Sequence, residues 1–85
     1  MASRYIITYY PPECIDEFGQ MNYDDNRQIT RLTLSSAKVN AIRLAAIDVN
    51  GEVHIDEQTY SDQYKEWEWT ENSWLVYADG SMVSS

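Results

Sequence analysis

Apolar and polar residues alternate with a period of two in the last third of the chain. Trp67 and Trp69 alternate with Glu66 and Glu68, which is typical of a strand with one buried and one exposed face. The polar stretch Thr70–Ser73 comes directly after this pattern. We therefore interpret Thr70–Ser73 as a break at which the first strand ends.

Two further strands are predicted after this break. Residues Trp74–Tyr77 are aromatic, aliphatic or β-branched, Ala78–Ser81 has the composition of a tight turn, and Met82–Val83 would form a short third strand. A three-stranded meander alone is only marginally stable in water. The rest of the chain is therefore expected to cover its apolar face.

A helix is predicted to supply this cover. Thr33 is well placed as an N-cap, and the apolar positions that follow it recur with helical spacing as far as Asp48. We expect a helix over residues 34–48 and a short strand at Val53–Ile55. The pair Asn50-Gly51 leaves one alternative open, a hairpin that joins residues 46–49 to 52–56.

The remaining segments complete the predicted architecture. Arg4–Tyr10 is rich in β-branched and aromatic residues and predicts a first strand, which Pro11 and Pro12 would end. Residues 13–26 predict a long ordered loop or a single helical turn, and residues 56–63 a polar linker. This order predicts an α+β fold, one helix packed on a small antiparallel sheet of three to four strands, as a single two-layer domain over residues 1–85.

Charge is the strongest compositional signal. Fourteen Asp and Glu residues against six Lys and Arg residues give a net charge of −8. Such a surface repels nucleic acid phosphates, so we expect no direct binding to DNA or RNA, whereas a partner protein with a basic surface is favoured. The alternative is a solvated acidic surface whose only role is to keep a small protein soluble.

Carboxylates in two parts of the chain are candidates for binding a basic partner. They comprise Asp24 and Asp25 in the long loop, and Glu57, Asp62, Glu66, Glu68 and Glu71 along the predicted linker and meander. If Trp67 and Trp69 face the helix, strand alternation directs their glutamate neighbours to solvent. Tyr23 and Tyr60 are the expected aromatic contacts, since tyrosine is enriched at protein interfaces.

Catalytic chemistry is not expected. The one histidine, His54, and the one cysteine, Cys14, are far apart in sequence, and no motif of a nucleophile elbow, phosphate loop or zinc protease is present. Residues 48–59 are partly similar to a calcium-binding loop, but Gly51 comes too early and Thr59 stands where a glutamate is required. We therefore predict no enzyme activity, no metal and no cofactor.

A reducing compartment is expected because a lone cysteine forms no disulfide within the chain. The first residues lack the apolar run of a signal peptide, and no segment has the length of a membrane span. These features predict a cytoplasmic protein, and we expect it to be monomeric or weakly dimeric.

Three short segments give the chain a resemblance to a known group of proteins. Tyr5-Ile6-Ile7 in an opening strand, Leu34–Lys38 opening a helix, and Trp74–Tyr77 followed by Asp79-Gly80 resemble small phage-encoded anti-CRISPR proteins directed against type I CRISPR-Cas systems. The resemblance implies a helix on an antiparallel sheet. It also implies a non-catalytic inhibitor that binds the surveillance complex, Cascade, or the nuclease-helicase that Cascade recruits.

The leading hypothesis is therefore an anti-CRISPR protein that binds Cascade through an acidic surface and blocks target DNA engagement or nuclease recruitment. One alternative is an acidic DNA mimic that inhibits another host defence or DNA-binding enzyme, such as a restriction system. Another is a structural or regulatory phage protein that self-associates through its aromatic sheet. The sequence leaves these alternatives open.

Overall fold

A computed structural model describes residues 2–85 as one helix against a five-stranded antiparallel sheet. The strands are β1 (Ser3–Tyr9), β2 (Arg27–Arg31), β3 (Glu52–Ser61), β4 (Glu66–Tyr77) and β5 (Met82–Ser84), and the helix is α1 (Leu34–Ala45). Their order across the sheet is β2-β1-β3-β4-β5. The predicted α+β class is confirmed, and the sheet has one strand more than the upper number expected.

The start of α1 was predicted correctly and its end was not. The Thr33 hydroxyl accepts a hydrogen bond from the N–H of Ser36 at 3.2 Å, as an N-cap should. The helix ends at Ala45 because the next residues turn toward β1, where the buried Asp48 carboxylate accepts the N–H of Tyr10 at 2.7 Å. Residues 46–48 follow the helix as a hydrogen-bonded turn, in which the Ile47 and Asp48 N–H groups donate to the Leu44 carbonyl at 3.1 and 2.9 Å, and no hairpin strand forms at residues 46–49.

The core lies between α1 and the middle of the sheet. Ala37, Ala41 and Ala45 are almost completely buried on the helix, and their small side chains allow its close approach to the strands. The sheet contributes four residues with no exposed surface, which are Ile7, Val53, Ile55 and Val76. The helix covers only the part of the sheet in which these residues lie.

Two predicted elements of the C-terminal half are wrong. The expected linker 56–63 is mostly strand, because β3 continues to Ser61. The expected break at Thr70–Ser73 lies within one continuous strand, β4. Asp56 pairs with Ser73 and Gln58 pairs with Trp69, so the one residue between them on β3 lies opposite three residues of β4. The polar residues 70–72 therefore form a bulge. The predicted turn into β5 is confirmed, with Gly80 at a φ of 93°.

The strand register also reverses the expected orientation of two tryptophans. Ile7 is paired with Ile55 on the face that α1 covers, so the alternate residues of β1 and β3 point to the opposite face. Gln58 is one of these, and it is paired with Trp69. Trp67 and Trp69 therefore face away from the helix, and the expectation that they face it is wrong.

The β3–β4 hairpin extends well beyond the helix. The Cα atoms span 46 × 26 × 18 Å, and none of residues 58–72 belongs to the core under α1. We call residues 58–72 the distal hairpin. Glu66 and Glu68 are paired with Ser61 and Thr59, so they lie on the same side of the sheet as the helix. They are outside the area that the helix covers.

Candidate functional site

The distal hairpin is closed by a short polar turn. The Tyr64 N–H donates a hydrogen bond to the Ser61 hydroxyl at 3.2 Å, and Lys65 adopts a left-handed φ of 54°. Such a φ is uncommon for a residue with a side chain, so Lys65 marks the tight point of the turn. Asp62 is exposed in this turn at the end of the molecule.

One face of the distal hairpin carries an ordered aromatic and cationic cluster. The Tyr60 and Trp67 rings meet edge to face with centroids 5.5 Å apart, and the Arg4 guanidinium lies 4.2 Å above the Trp67 ring. The Arg4 Nε also donates to the Gln58 side-chain oxygen at 2.7 Å. Cation–π and edge-to-face contacts are both favourable, so these four residues hold one another in place.

Trp69 lies on the same face, outside this cluster. Its side chain is 61% exposed, whereas Gln58, its partner across the strands, is 7% exposed. No cation or aromatic ring within residues 2–85 stacks on Trp69. An exposed indole beside a cluster of mutually contacting aromatic and cationic side chains is typical of the anchors found in protein interfaces.

The other face of β4 is acidic. Glu66 and Glu68 are exposed and lie opposite the hydroxyl-bearing Ser61 and Thr59. Glu71 is exposed in the bulge and Asp62 in the turn, so four carboxylates lie within this one hairpin. Carboxylates gathered in this way present a negative field to a basic surface.

The outer edge of β4 is only partly paired. β5 lies opposite Trp74, Leu75 and Val76, and one further hydrogen bond joins the Ser85 N–H to the Ser73 carbonyl. No strand of the described chain lies beside residues 66–72 on that edge.

Alternation along the strands shows which backbone groups face this edge. The Tyr60 N–H donates to the Ala2 carbonyl on the β1 side, so Thr59 and Ser61 direct their backbone groups to β4. Their partners, Glu68 and Glu66, therefore face β3. Trp67 and Trp69, the alternate residues, direct their N–H and C=O groups outward to the unpaired edge.

Glu57 occupies a different position from the other acidic candidates. It accepts hydrogen bonds from the Asn72 side-chain amide at 3.0 Å, the Thr70 hydroxyl at 3.1 Å and the Tyr5 hydroxyl at 3.2 Å. These donors belong to β1 and to the bulge of β4. Glu57 therefore joins three neighbouring strands and fixes the bulge at the boundary between the core and the distal hairpin.

Burial and these hydrogen bonds together shift the pKa values of Glu57 and Tyr5. The donors, first the Asn72 amide, lower the pKa of the Glu57 carboxyl below its ordinary value, although partial burial opposes them. The pKa of Tyr5 is raised, first by burial and then by its hydrogen bond to Glu57. Glu57 is thus held as a carboxylate that the fold already uses internally.

The predicted site residues of the long loop lie far from those of the distal hairpin. Asp24, Asp25 and Tyr23 form a short 3₁₀ turn in the loop between β1 and β2, and all three are exposed. That loop follows the end of β1 near the start of β3, whereas the distal hairpin lies at the other end of β3. Ten residues of strand at about 3.3 Å each separate the two ends by roughly 30 Å.

The loop is ordered by its own contacts. The Tyr23 ring meets the Tyr10 ring edge to face with centroids 5.5 Å apart. The Asn22 side-chain oxygen accepts the Asp24 N–H at 3.1 Å, and the Asp25 carboxylate accepts from the Asn22 amide at 3.2 Å. Asp24 and Asp25 therefore form a separate small acidic surface and do not join Glu66 and Glu68.

Sequence reasoning missed Arg4, Trp67 and Trp69 as surface residues of the site. It placed both tryptophans under the helix because an alternating pattern shows that they share a face without showing which face. The signal that points the other way is the polar stretch Asp56–Gln63, since a strand with few apolar residues on either face does not lie beneath a helix. β3 runs through most of this stretch.

Residues 2–85 form no pocket and contain no group of three or more His, Cys, Asp and Glu side chains placed to hold a metal ion. The helix in this part of the chain is too short and too polar to cross a membrane. Cys14 is buried and unpaired.

Comparisons with protein-family models, with curated proteins and with solved structures found no match to this chain.

Proposed function

We propose that this protein acts by stoichiometric binding, with the distal hairpin docking on a basic surface of a partner protein. The observation that carries the proposal is the combination of exposed Trp69 with exposed Glu66 and Glu68 on opposite faces of one projecting strand, whose unpaired edge lets a partner reach both faces. An aromatic anchor supplies contact area at low entropic cost, and the carboxylates supply complementarity to lysine and arginine.

The projection of the hairpin supports this role. Because residues 58–72 lie beyond the helix, a partner is able to contact the hairpin without displacing the core. The cluster of Arg4, Tyr60 and Trp67 stiffens one face of the hairpin before binding. A preorganised surface loses less conformational entropy when it docks, which favours affinity.

The proposed partner is the type I CRISPR surveillance complex, Cascade, and the proposed role is that of an anti-CRISPR protein in the host cytoplasm. This choice rests on the resemblance of the β1, α1 and β4–β5 segments described above and on the net charge of −8. Basic surfaces of such a complex hold DNA, so an acidic hairpin bound there would exclude target DNA or block nuclease recruitment. The alternative partner is another host enzyme that binds DNA through a basic surface, on which the same hairpin would dock.

The test is size-exclusion chromatography of this protein with a purified type I Cascade at low and at moderate salt. Co-elution at a fixed ratio, weakened by salt, is the expected result. The double variant Glu66→Gln, Glu68→Gln should lose co-elution. Its matched control, Asp24→Asn with Asp25→Asn, removes the same charge at the distant end and should co-elute normally.

The contrary results are equally specific. Separate elution from Cascade of several type I subtypes would overturn this choice of partner. Loss of co-elution by the Asp24→Asn, Asp25→Asn control alone would move the binding surface to the loop. A concentration-dependent size of the free protein would favour self-association instead.

A further inference from the structure

We propose that the unpaired edge of β4 at Trp67–Trp69 accepts an extended basic segment of the partner as an additional strand. This inference rests on the proposed function and specifies how the distal hairpin would bind. It concerns the backbone of the hairpin as well as its side chains.

The backbone provides the first argument. Trp67 and Trp69 direct two N–H and two C=O groups to an edge on which no strand of the described chain lies. An open edge of this kind is a template for pairing with another chain, and proteins that recognise peptides by strand addition use such edges.

The structure also sets the length of the open edge. On one side the bulge at Thr70–Asn72 interrupts the strand, and the Asn72 N–H already donates to the Thr70 hydroxyl at 3.0 Å. On the other side the turn at Lys65 ends it. The open edge is therefore limited to residues 66–69. This length suits pairing with a short extended segment and not with the edge strand of another sheet.

The side chains determine the chemistry of the segment. An added strand would place alternate residues opposite Glu66 and Glu68 on one face, and the residues between them beside Trp67 and Trp69 on the other. Lysine or arginine complements the glutamates, and β-branched residues pack well against indoles. The segment that fits has basic residues at every second position.

Like charges disfavour a second copy of this chain on the same edge. Antiparallel self-pairing along residues 66–69 would bring Glu66 and Glu68 of one copy close to those of the other, and like charges across strands are destabilising. Edge charges of this kind are a common protection against self-association. The same charges attract a basic strand, so the edge discriminates between the two occupants.

The inference is tested with a synthetic peptide that has lysine at every second position and threonine or valine between. In antiparallel addition, the arrangement of every strand pair in this sheet, the residues opposite Trp67 and Trp69 direct their N–H groups to β4, and these are the threonine and valine positions. N-methylation of those positions should weaken binding to the full-length protein by about tenfold or more, because it removes two backbone hydrogen bonds. N-methylation of the lysine positions, the matched control, should leave affinity within about twofold.

Affinity is measured by an NMR titration that also follows amide exchange. In the complex the N–H groups of Trp67 and Trp69 should become protected, while those of Glu66 and Glu68, already bonded to β3, should change little. Docking by charge alone predicts equal binding of both methylated peptides and no new protection. That result would overturn strand addition and leave the proposed function standing.

Two other results would also overturn the inference. If the unmethylated peptide does not bind, strand addition is wrong. Co-elution with Cascade then tests the proposed function separately. Protection of Trp67 and Trp69 in the free protein that disappears on dilution would show that a second copy occupies the edge.

Discussion

The two ends of the β3–β4 hairpin differ in what their side chains contact. Near α1, Val53, Ile55 and Val76 have no exposed surface. On the same two strands beyond the helix, Trp69 is 61% exposed and the edge of β4 is unpaired. One hairpin therefore contributes to the core with one end and presents a surface with the other.

The boundary between the two ends is built by polar contacts. The hydrogen bonds from Thr70 and Asn72 to Glu57 fix a bulge at the point where helix cover ends. A bulge changes the direction and the twist of a strand, which suits a change from core to surface. Changes in the covered end should therefore affect stability, and changes in the distal hairpin should affect binding.

The largest effect is expected in the covered end. Ile55→Ala should lower the free energy of unfolding by about 2–5 kcal/mol, because it leaves a cavity among Ile7, Val53 and the helix alanines. Urea unfolding followed by circular dichroism measures this change. A loss below about 1 kcal/mol would show that α1 does not pack tightly on β3.

The boundary should be the next most sensitive region. Glu57→Ala removes the acceptor of three side-chain hydrogen bonds and should cost about 1–2 kcal/mol by urea unfolding. The NMR signals of Thr70 and Asn72 should shift more than those of Val76. Unchanged signals in the bulge would mean that Glu57 does not fix it.

The helix cap should have a smaller effect. Thr33→Ala removes the hydroxyl that accepts the Ser36 N–H and should cost about 1 kcal/mol. Thr33→Ser keeps an oxygen at the cap and is the matched control, with a cost of a few tenths of a kcal/mol at most. Equal losses in the two variants would contradict a capping role.

A pH dependence should distinguish Glu57 from the exposed carboxylates. The folded state lowers the pKa of Glu57, so its contribution to stability is present above the ordinary value of 4.5 and is lost as pH falls through the lowered value. Glu57→Gln should therefore lose less stability than the unmodified protein as pH falls below the ordinary value of 4.5. If the free energy of unfolding falls equally with pH in the two proteins, the lowered pKa of Glu57 is contradicted.

The smallest effect on stability is expected at the exposed indole. Trp69→Ser should change the free energy of unfolding by less than about 1 kcal/mol, since most of the side chain is in water. The same variant should bind Cascade measurably more weakly. Trp74→Ser, a matched change on β4 against the core, should instead destabilise the fold.

The local elements were predictable where nearby residues decide them. The Thr33 cap, the first strand and the turn at Gly80 each follow from a few adjacent residues. The bulge was not predictable because Thr70–Asn72 has the composition of a turn, and Glu57, which fixes these residues within a strand, is more than ten residues away in sequence.

The candidate site was predictable only in part. Glu66, Glu68, Glu71 and Asp62 were identified, and the structure leaves all of them exposed on the distal hairpin. The orientation of Trp67 and Trp69 depends on the pairing of β4 with Gln58 and Tyr60, which no local pattern reveals. Glu57 was grouped with the surface carboxylates, because the side chains that donate hydrogen bonds to it lie on other strands and its sequence neighbours do not reveal them.

The most direct test is amide hydrogen exchange along β4 in the free protein, measured by NMR. Trp74 to Tyr77 should all be protected, since both edges of the strand are paired there. In the distal hairpin protection should alternate, with Glu66 and Glu68 slow and Trp67 and Trp69 fast. Slow exchange at Trp67 and Trp69 equal to that at Leu75 would show a closed edge and contradict the division of the hairpin into a core end and a binding end.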